Sequence, residues 1–137
     1  MLLPQELEVW YIIPAIRREL CREMVKTGSS QKEIAAQLGV TESAVSQYVH
    51  DKRANKVKFS PAFKAFSKET ARKIVRGEIS AFAAVQQLSR SLYPTREVCG
   101  LHTKFDKTVK KDCTVCMDHS IIVPSDVRLE SINLKVK

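Results

Sequence analysis

The sequence predicts a mainly α-helical protein: an N-terminal helix-turn-helix domain, further helices, and a small cysteine-rich, metal-stabilised segment with a β-prone tail. Three observations carry that expectation. Apolar residues at Val9, Ile13, Ile16, Leu20 and Met24 are spaced by four and three, which makes one helical stripe. The stretch from Gln31 to His50 carries the capping and turn residues of two short helices. Of the four cysteines, at 21, 99, 113 and 116, three fall within eighteen residues. We divide the chain accordingly into residues 1–58, 59–97 and 98–137.

Each element has a local reason. Pro14 suits the first turn of a helix, where its missing N–H goes unused, and it biases Ile13 away from helical backbone; the first helix is therefore expected from about Pro14 to Lys26, ending near Gly28. Ser30-Gln-Lys-Glu33 has the form of a capping box, which starts a second helix over Gln31 to Leu38. Gly39 follows where a left-handed residue ends a helix, and Thr41 can cap a third helix running to about His50. Asp51 to Asn55 reads as a polar loop. Ser67 to Arg76 and Ser80 to Leu92 read as two more helices split by Gly77, and Tyr93-Pro94 ends them. Val98 to His119 shows little periodicity, so its order is expected to depend on the cysteines. Ile121 to Val123 and Val127 to Glu130 suggest short strands.

Composition narrows the function. With 44% hydrophobic and 28% charged residues, the 137-residue chain can bury a core. A net charge of +8 favours a polyanionic partner, since clustered Lys and Arg displace condensed counterions from nucleic acid; charge alone does not separate DNA from RNA or an acidic membrane surface. The charge divides as +2 over residues 1–60, +4 over 61–98 and +2 over 99–137. The apolar run from Val9 to Ile13 falls far short of the roughly 20 residues a bilayer needs, so no membrane span is expected. Glu6 and Glu8 interrupt the early apolar residues and no basic leader precedes them, which argues against a signal peptide and for the cytoplasm.

The segment Gln31 to His50 carries the clearest chemistry. Ala35 is small where two helices would cross, Gly39 can take the positive φ of the turn, and Val45 would pack the third helix on the second. Ile34, Leu38, Val40 and Tyr48 would complete the shared core. Thr41, Glu42, Ser43, Ser46, Gln47 and His50 then face outward, a row of short polar side chains such as a helix in the major groove requires. Gln47 can pair in bidentate fashion with adenine, and Ser43 and Ser46 can reach base edges or phosphates. Lys52, Arg53, Lys56 and Lys58 would touch phosphates, setting position rather than specificity. Operators are read by paired half-sites, so a homodimer on double-stranded DNA is expected. Phe82, Val85, Leu88 and Leu92 form the candidate dimer stripe, with an intrachain core as the other reading. Helix-turn-helix geometry also serves purely structural roles, and a protein-interaction or RNA-associated module using the cysteines, with the helices as scaffold, stays open.

The stretch Val9-Trp-Tyr-Ile-Ile-Pro-Ala-Ile-Arg-Arg-Glu-Leu20, with Ser30 to Arg53, resembles the N-terminal half of a family of archaeal predicted transcriptional regulators. These carry a Cro/repressor-type helix-turn-helix followed by a cysteine-rich C-terminal segment. The likeness is detailed from about Pro4 to Lys58 and looser beyond, where Cys99-Gly-Leu-His102 and Cys113-Thr-Val-Cys116 resemble the family's terminal cysteine motifs. Members often carry a further cysteine pair shortly before these; here the region around Gln86 and Ser89 has none. The resemblance implies transcription regulation.

Cys99-x2-His102 and Cys113-x2-Cys116 are two knuckles whose spacing lets two ligands from one turn reach the same ion. Three thiolates and an imidazole suit structural Zn²⁺, and the same soft donors suit an iron–sulfur cluster with His102 or a cysteine of another chain as fourth ligand; a redox dithiol at Cys113 and Cys116 is the remaining reading. A redox-labile cluster would give a regulator its signal. Lys104, Lys107, Lys110 and Lys111 would offset the centre's negative charge. His119 is a less favoured substitute for His102. Cys21 reads as a buried apolar residue, and Trp10 and Tyr11 as core in preference to a stacking platform for bases. Cys99 as nucleophile with His102 as base is disfavoured, because no oriented carboxylate or oxyanion hole accompanies them, so an enzyme is not expected.

Overall fold

The structure, a computed structural model, describes residues 1–117. It is mainly helical, as expected, and no strand occurs among the described residues. The anticipated strands at 121–123 and 127–130, and His119, lie outside them.

The first helix starts ten residues earlier than the sequence suggested. Pro4 occupies the first position of α1 (Pro4–Leu7), and the Glu6 carboxylate accepts the Leu3 N–H at 2.8 Å. The chain then runs through one π-helical turn, Glu8–Ile12, directly into α2 (Ile13–Lys26). Ile13 is helical, with φ −60° and ψ −46°, and its N–H donates to the Glu8 carbonyl five residues back. In a regular α-helix the Pro14 ring would collide with the Trp10 carbonyl; the wider turn upstream of proline relieves that clash and keeps the helix continuous. The extra residue also rotates the apolar stripe. Leu7 and Ile12, five apart, are buried in line with Ile16, Leu20 and Met24, while Val9 is 61% exposed rather than in the core.

Beyond Gly28 the chain follows the expected caps. In α3 (Gln31–Leu38) Ser30 Oγ accepts the Glu33 N–H at 3.1 Å and the Glu33 carboxylate accepts the Ser30 N–H at 2.9 Å. Gly39 closes α3 at φ 65°, ψ 36°, and Thr41 Oγ1 accepts the Ala44 N–H to open α4 (Glu42–Val49). Ile34, Ala35, Leu38, Ala44, Val45 and Tyr48 pack these two helices together and onto α2.

Helix α5 (Pro61–Val75) begins before the expected Ser67, because Ser60 caps the Phe63 N–H and Pro61 takes the first helical position. Helix α6 (Ala81–Ser91) follows the Ser80 cap, and both α5 and α6 lie against α2. The stripe on α6 divides: Leu88 and, just beyond the helix, Leu92 are in the intrachain core, Val85 is half-buried, and Phe82 is 88% exposed. A further helix, α7 (Glu97–Phe105), stands where little periodicity was read. The Glu97 carboxylate ties it to the start of α5 by accepting the Ser60 N–H at 2.6 Å and the Ser60 hydroxyl at 2.9 Å. The buried apolar side chains form one cluster from Leu7 to Leu101, with α2 at its centre.

Candidate nucleic-acid interface and thiol cluster

The outward side of α4 is polar and uncovered. Thr41, Glu42, Ser43, Gln47 and His50 are exposed and Ser46 is half-buried, while Ala44, Val45 and Tyr48 hold the helix from behind. His50 Nδ1 lies 2.8 Å from the Ser46 carbonyl, which also accepts the His50 backbone N–H at 3.0 Å. That contact holds the ring at the helix end; Gln47, one turn earlier, accepts the Lys52 N–H through its carbonyl at 2.9 Å, and its side chain makes no protein hydrogen bond among the described residues.

The loop after α4 presents Lys52, Arg53, Lys56 and Lys58, all exposed, and the intervening Val57 and Phe59 anchor it in the core. Two contacts position it. Arg18 on α2 donates to the Asp51 carboxylate through Nε at 3.0 Å and through Nη2, with Arg22 at 3.8 Å; the Arg18 hydrogen bond holds the Asp51 carboxyl below the usual range. The Arg53 guanidinium sits over the Tyr48 ring, 5.4 Å from its centroid. Asp51 itself takes φ 59°, a left-handed backbone that aspartate tolerates better than most residues.

Trp10 was expected in the core and is instead 60% exposed, because the π turn rotates it outward. Tyr11 is half-buried, its ring stacked on Phe105 of α7 at 4.1 Å and 15°. With the basic loop, Trp10 and Tyr11 line a shallow hollow of about 360 Å³.

The structure brings the four expected ligand residues to one place. Cys99, His102, Cys113 and Cys116 line a hollow of about 10 Å³ together with Val98, Thr103, Val109 and Lys110. The three cysteines are half-buried, and burial, with Cys99 and Cys113 nearby, raises the Cys116 thiol. His102 is buried on α7, with Nε2 2.6 Å from the Leu2 carbonyl; that bond makes Nε2 the protonated nitrogen and leaves Nδ1 with a free lone pair. An imidazole oriented by a carbonyl in this way suits metal ligation, and thiol sulfur suits soft metals. As the side chains stand, however, no three of them converge closely enough to hold a metal ion among the described residues. Donor chemistry fits the group; placement does not yet do so. Lys110 borders the hollow, Lys107 and Lys111 are exposed away from it, and Lys104 instead donates to the Lys56 carbonyl at 3.4 Å.

Cys21 is fully buried on α2, where burial pushes its thiol up to about 12. No helix among the described residues is long and apolar enough to cross a membrane. Compared with known protein families, curated proteins and solved structures, the chain finds no match.

Proposed function

We propose that this protein is a sequence-specific DNA-binding transcriptional regulator of the cytoplasm, acting as a homodimer, and a binding protein rather than an enzyme. The observation that carries the reading is the α4 surface: a short helix, braced from behind by Ala44, Val45 and Tyr48, offers Ser43 and Gln47 to solvent and is followed at once by exposed Lys52, Arg53, Lys56 and Lys58. A polar row beside a basic flank is what base readout and phosphate anchoring respectively need. Thr41, Glu42, Ser46 and His50 complete that face. Phe82, exposed on α6 beside the turn at Gly39, is the apolar side chain we assign to the dimer contact.

The cysteine cluster supplies the second half of the reading. We assign Cys99, His102, Cys113 and Cys116 to a zinc ion or an iron–sulfur cluster on the strength of their soft donors lining one hollow. Either would cross-link α7 to the segment after it; only the cluster would add redox sensitivity.

Selection from randomised duplexes tests the reading. Enrichment of one motif, lost in Gln47→Ala with the fold intact by circular dichroism, is the expected result; retention of all duplexes equally, or of none, overturns it. Metal content and the visible spectrum of protein purified without oxygen test the cofactor. Colourless protein with stoichiometric zinc supports the ion, brown protein with iron supports the cluster, and protein with neither removes the metal.

A further inference from the structure

We infer that Trp10 and the loop Lys52 to Lys56 form a second contact with duplex DNA, outside the α4 face, in which the sugar–phosphate backbone flanking the α4 site lies in the hollow they share. The inference rests on the DNA-binding reading above, which already gives Lys52, Arg53 and Lys56 to phosphates, and deepens it by adding Trp10 and the hollow it shares with them.

The hollow has a distinctive make-up. Every charged side chain that lines it is a cation, Lys52, Arg53 or Lys56, and no carboxylate borders it. The nearest acid in sequence, Asp51, is engaged by Arg18 and Arg22 and so leaves the positive field of the loop largely uncancelled. Lys104 of α7 adds to that field by donating to the Lys56 carbonyl at 3.4 Å. Trp10, which is 60% exposed, lines the same hollow as these cations. An indole beside a row of cations matches a deoxyribose joined to its phosphate: the sugar packs on the ring, and the charged oxygens meet Lys and Arg.

The location agrees with that occupant. Arg53, which lines the hollow, also caps the Tyr48 ring at 5.4 Å, so the hollow opens beside the C-terminal end of α4. A backbone segment in it would continue the strand whose bases face Ser43 and Gln47. A second copy of this chain is a poorer occupant, because a two-fold contact through this patch would set its cations against their own symmetry mates.

The chain contains a single tryptophan, so its emission reports this hollow alone. The full chain is titrated with a labelled 20-base-pair duplex at 50 mM salt, following label anisotropy, while acrylamide quenching of Trp10 is measured before and after saturation. We expect the quenching constant to fall at least twofold on binding. Trp10→Ala should weaken binding about fivefold with an unchanged salt slope, whereas Lys56→Gln should make the log–log slope shallower by about one. If the duplex binds while Trp10 stays equally accessible and Trp10→Ala binds as wild type, the inference is overturned and the α4 reading survives. Preferential binding of the separated strands also overturns it, because it would indicate base stacking on the indole. If no duplex binds, the DNA-binding reading itself fails, and this inference with it.

Discussion

Single side chains already separate structural from exposed chemistry. Cys21 is in the core, and burial pushes its thiol up to about 12, so it should be inert at neutral pH. Cys99, Cys113 and Cys116 are half-buried. Metal-free native protein treated with a thiol-specific disulfide reagent should therefore show three accessible thiols, and the fourth only on unfolding; immediate reaction of all four would contradict the buried placement. Asp106 gives a second residue-level test. Its carboxylate accepts the Leu2 N–H at 2.7 Å and the Thr108 N–H and hydroxyl at 2.9 and 2.6 Å, and these bonds, Leu2 foremost, hold its carboxyl well below the ordinary 3.8. A carboxyl depressed in the folded state stabilises it above the unfolded value and loses that contribution as pH falls toward the folded one. Asp106→Asn should thus lower the urea midpoint at pH 7, and the gap from wild type should close progressively below about pH 4. A gap that persists unchanged in acid would show that the carboxylate charge is not what secures the N-terminus.

Elements formed by short-range signals were legible in the sequence; those needing a count across an irregularity were not. The Ser30–Glu33 box, the Gly39 turn and the Thr41 cap each involve residues within four positions, and each appears with the expected hydrogen bonds. The first helix departs from its expected stripe because one turn, Glu8–Ile12, holds an extra residue; a constant period across it would put Val9 and Trp10 in the core, and the wider turn puts them outside. Helix α7 carries a short stripe, Val98, Leu101, His102 and Phe105, that is hard to see within a segment of otherwise little periodicity whose cysteine spacing suggests metal-dependent order. Its dependence on Ser60 through Glu97 is a long-range bond that no local pattern reveals. Energetic tests belong to the caps and the turn. Ser30→Ala should cost about 1 kcal/mol by urea unfolding. At Gly39, φ is 65° and an added Cβ meets nothing within 4 Å, so Gly39→Ala should cost only the left-handed backbone penalty, roughly 1–2 kcal/mol. A loss well above that would mean the turn rearranges, and no loss would mean that the positive φ is not required.

At the scale of the whole molecule, α7 links three features that the sequence left separate. It carries Cys99 and His102 at the thiol hollow, holds the N-terminus through the His102 bond to Leu2, and meets the basic loop and first helix through Lys104 and the Phe105–Tyr11 stack. A change at the cysteines thus has a packed route to the loop beside α4. Helix phase and spacing suffice to place Ser43 and Gln47 on the exposed side of α4 and Cys99, His102, Cys113 and Cys116 around one hollow. The placement of Trp10 beside the basic loop and of the Leu2 carbonyl against His102 is not legible in the sequence, because only the folded chain brings them together.

The most direct test of the central claim is the affinity of the full chain for a selected duplex and for a scrambled one, measured between 50 and 200 mM salt for wild type and for Ser43→Ala with Gln47→Ala. Four phosphate contacts from Lys52, Arg53, Lys56 and Lys58 correspond to a log–log slope of about −3.6. The double variant should keep that slope while its preference for the selected duplex collapses toward unity. A flat slope, or a preference that survives the double substitution, would contradict the assignment of α4 as the reading helix.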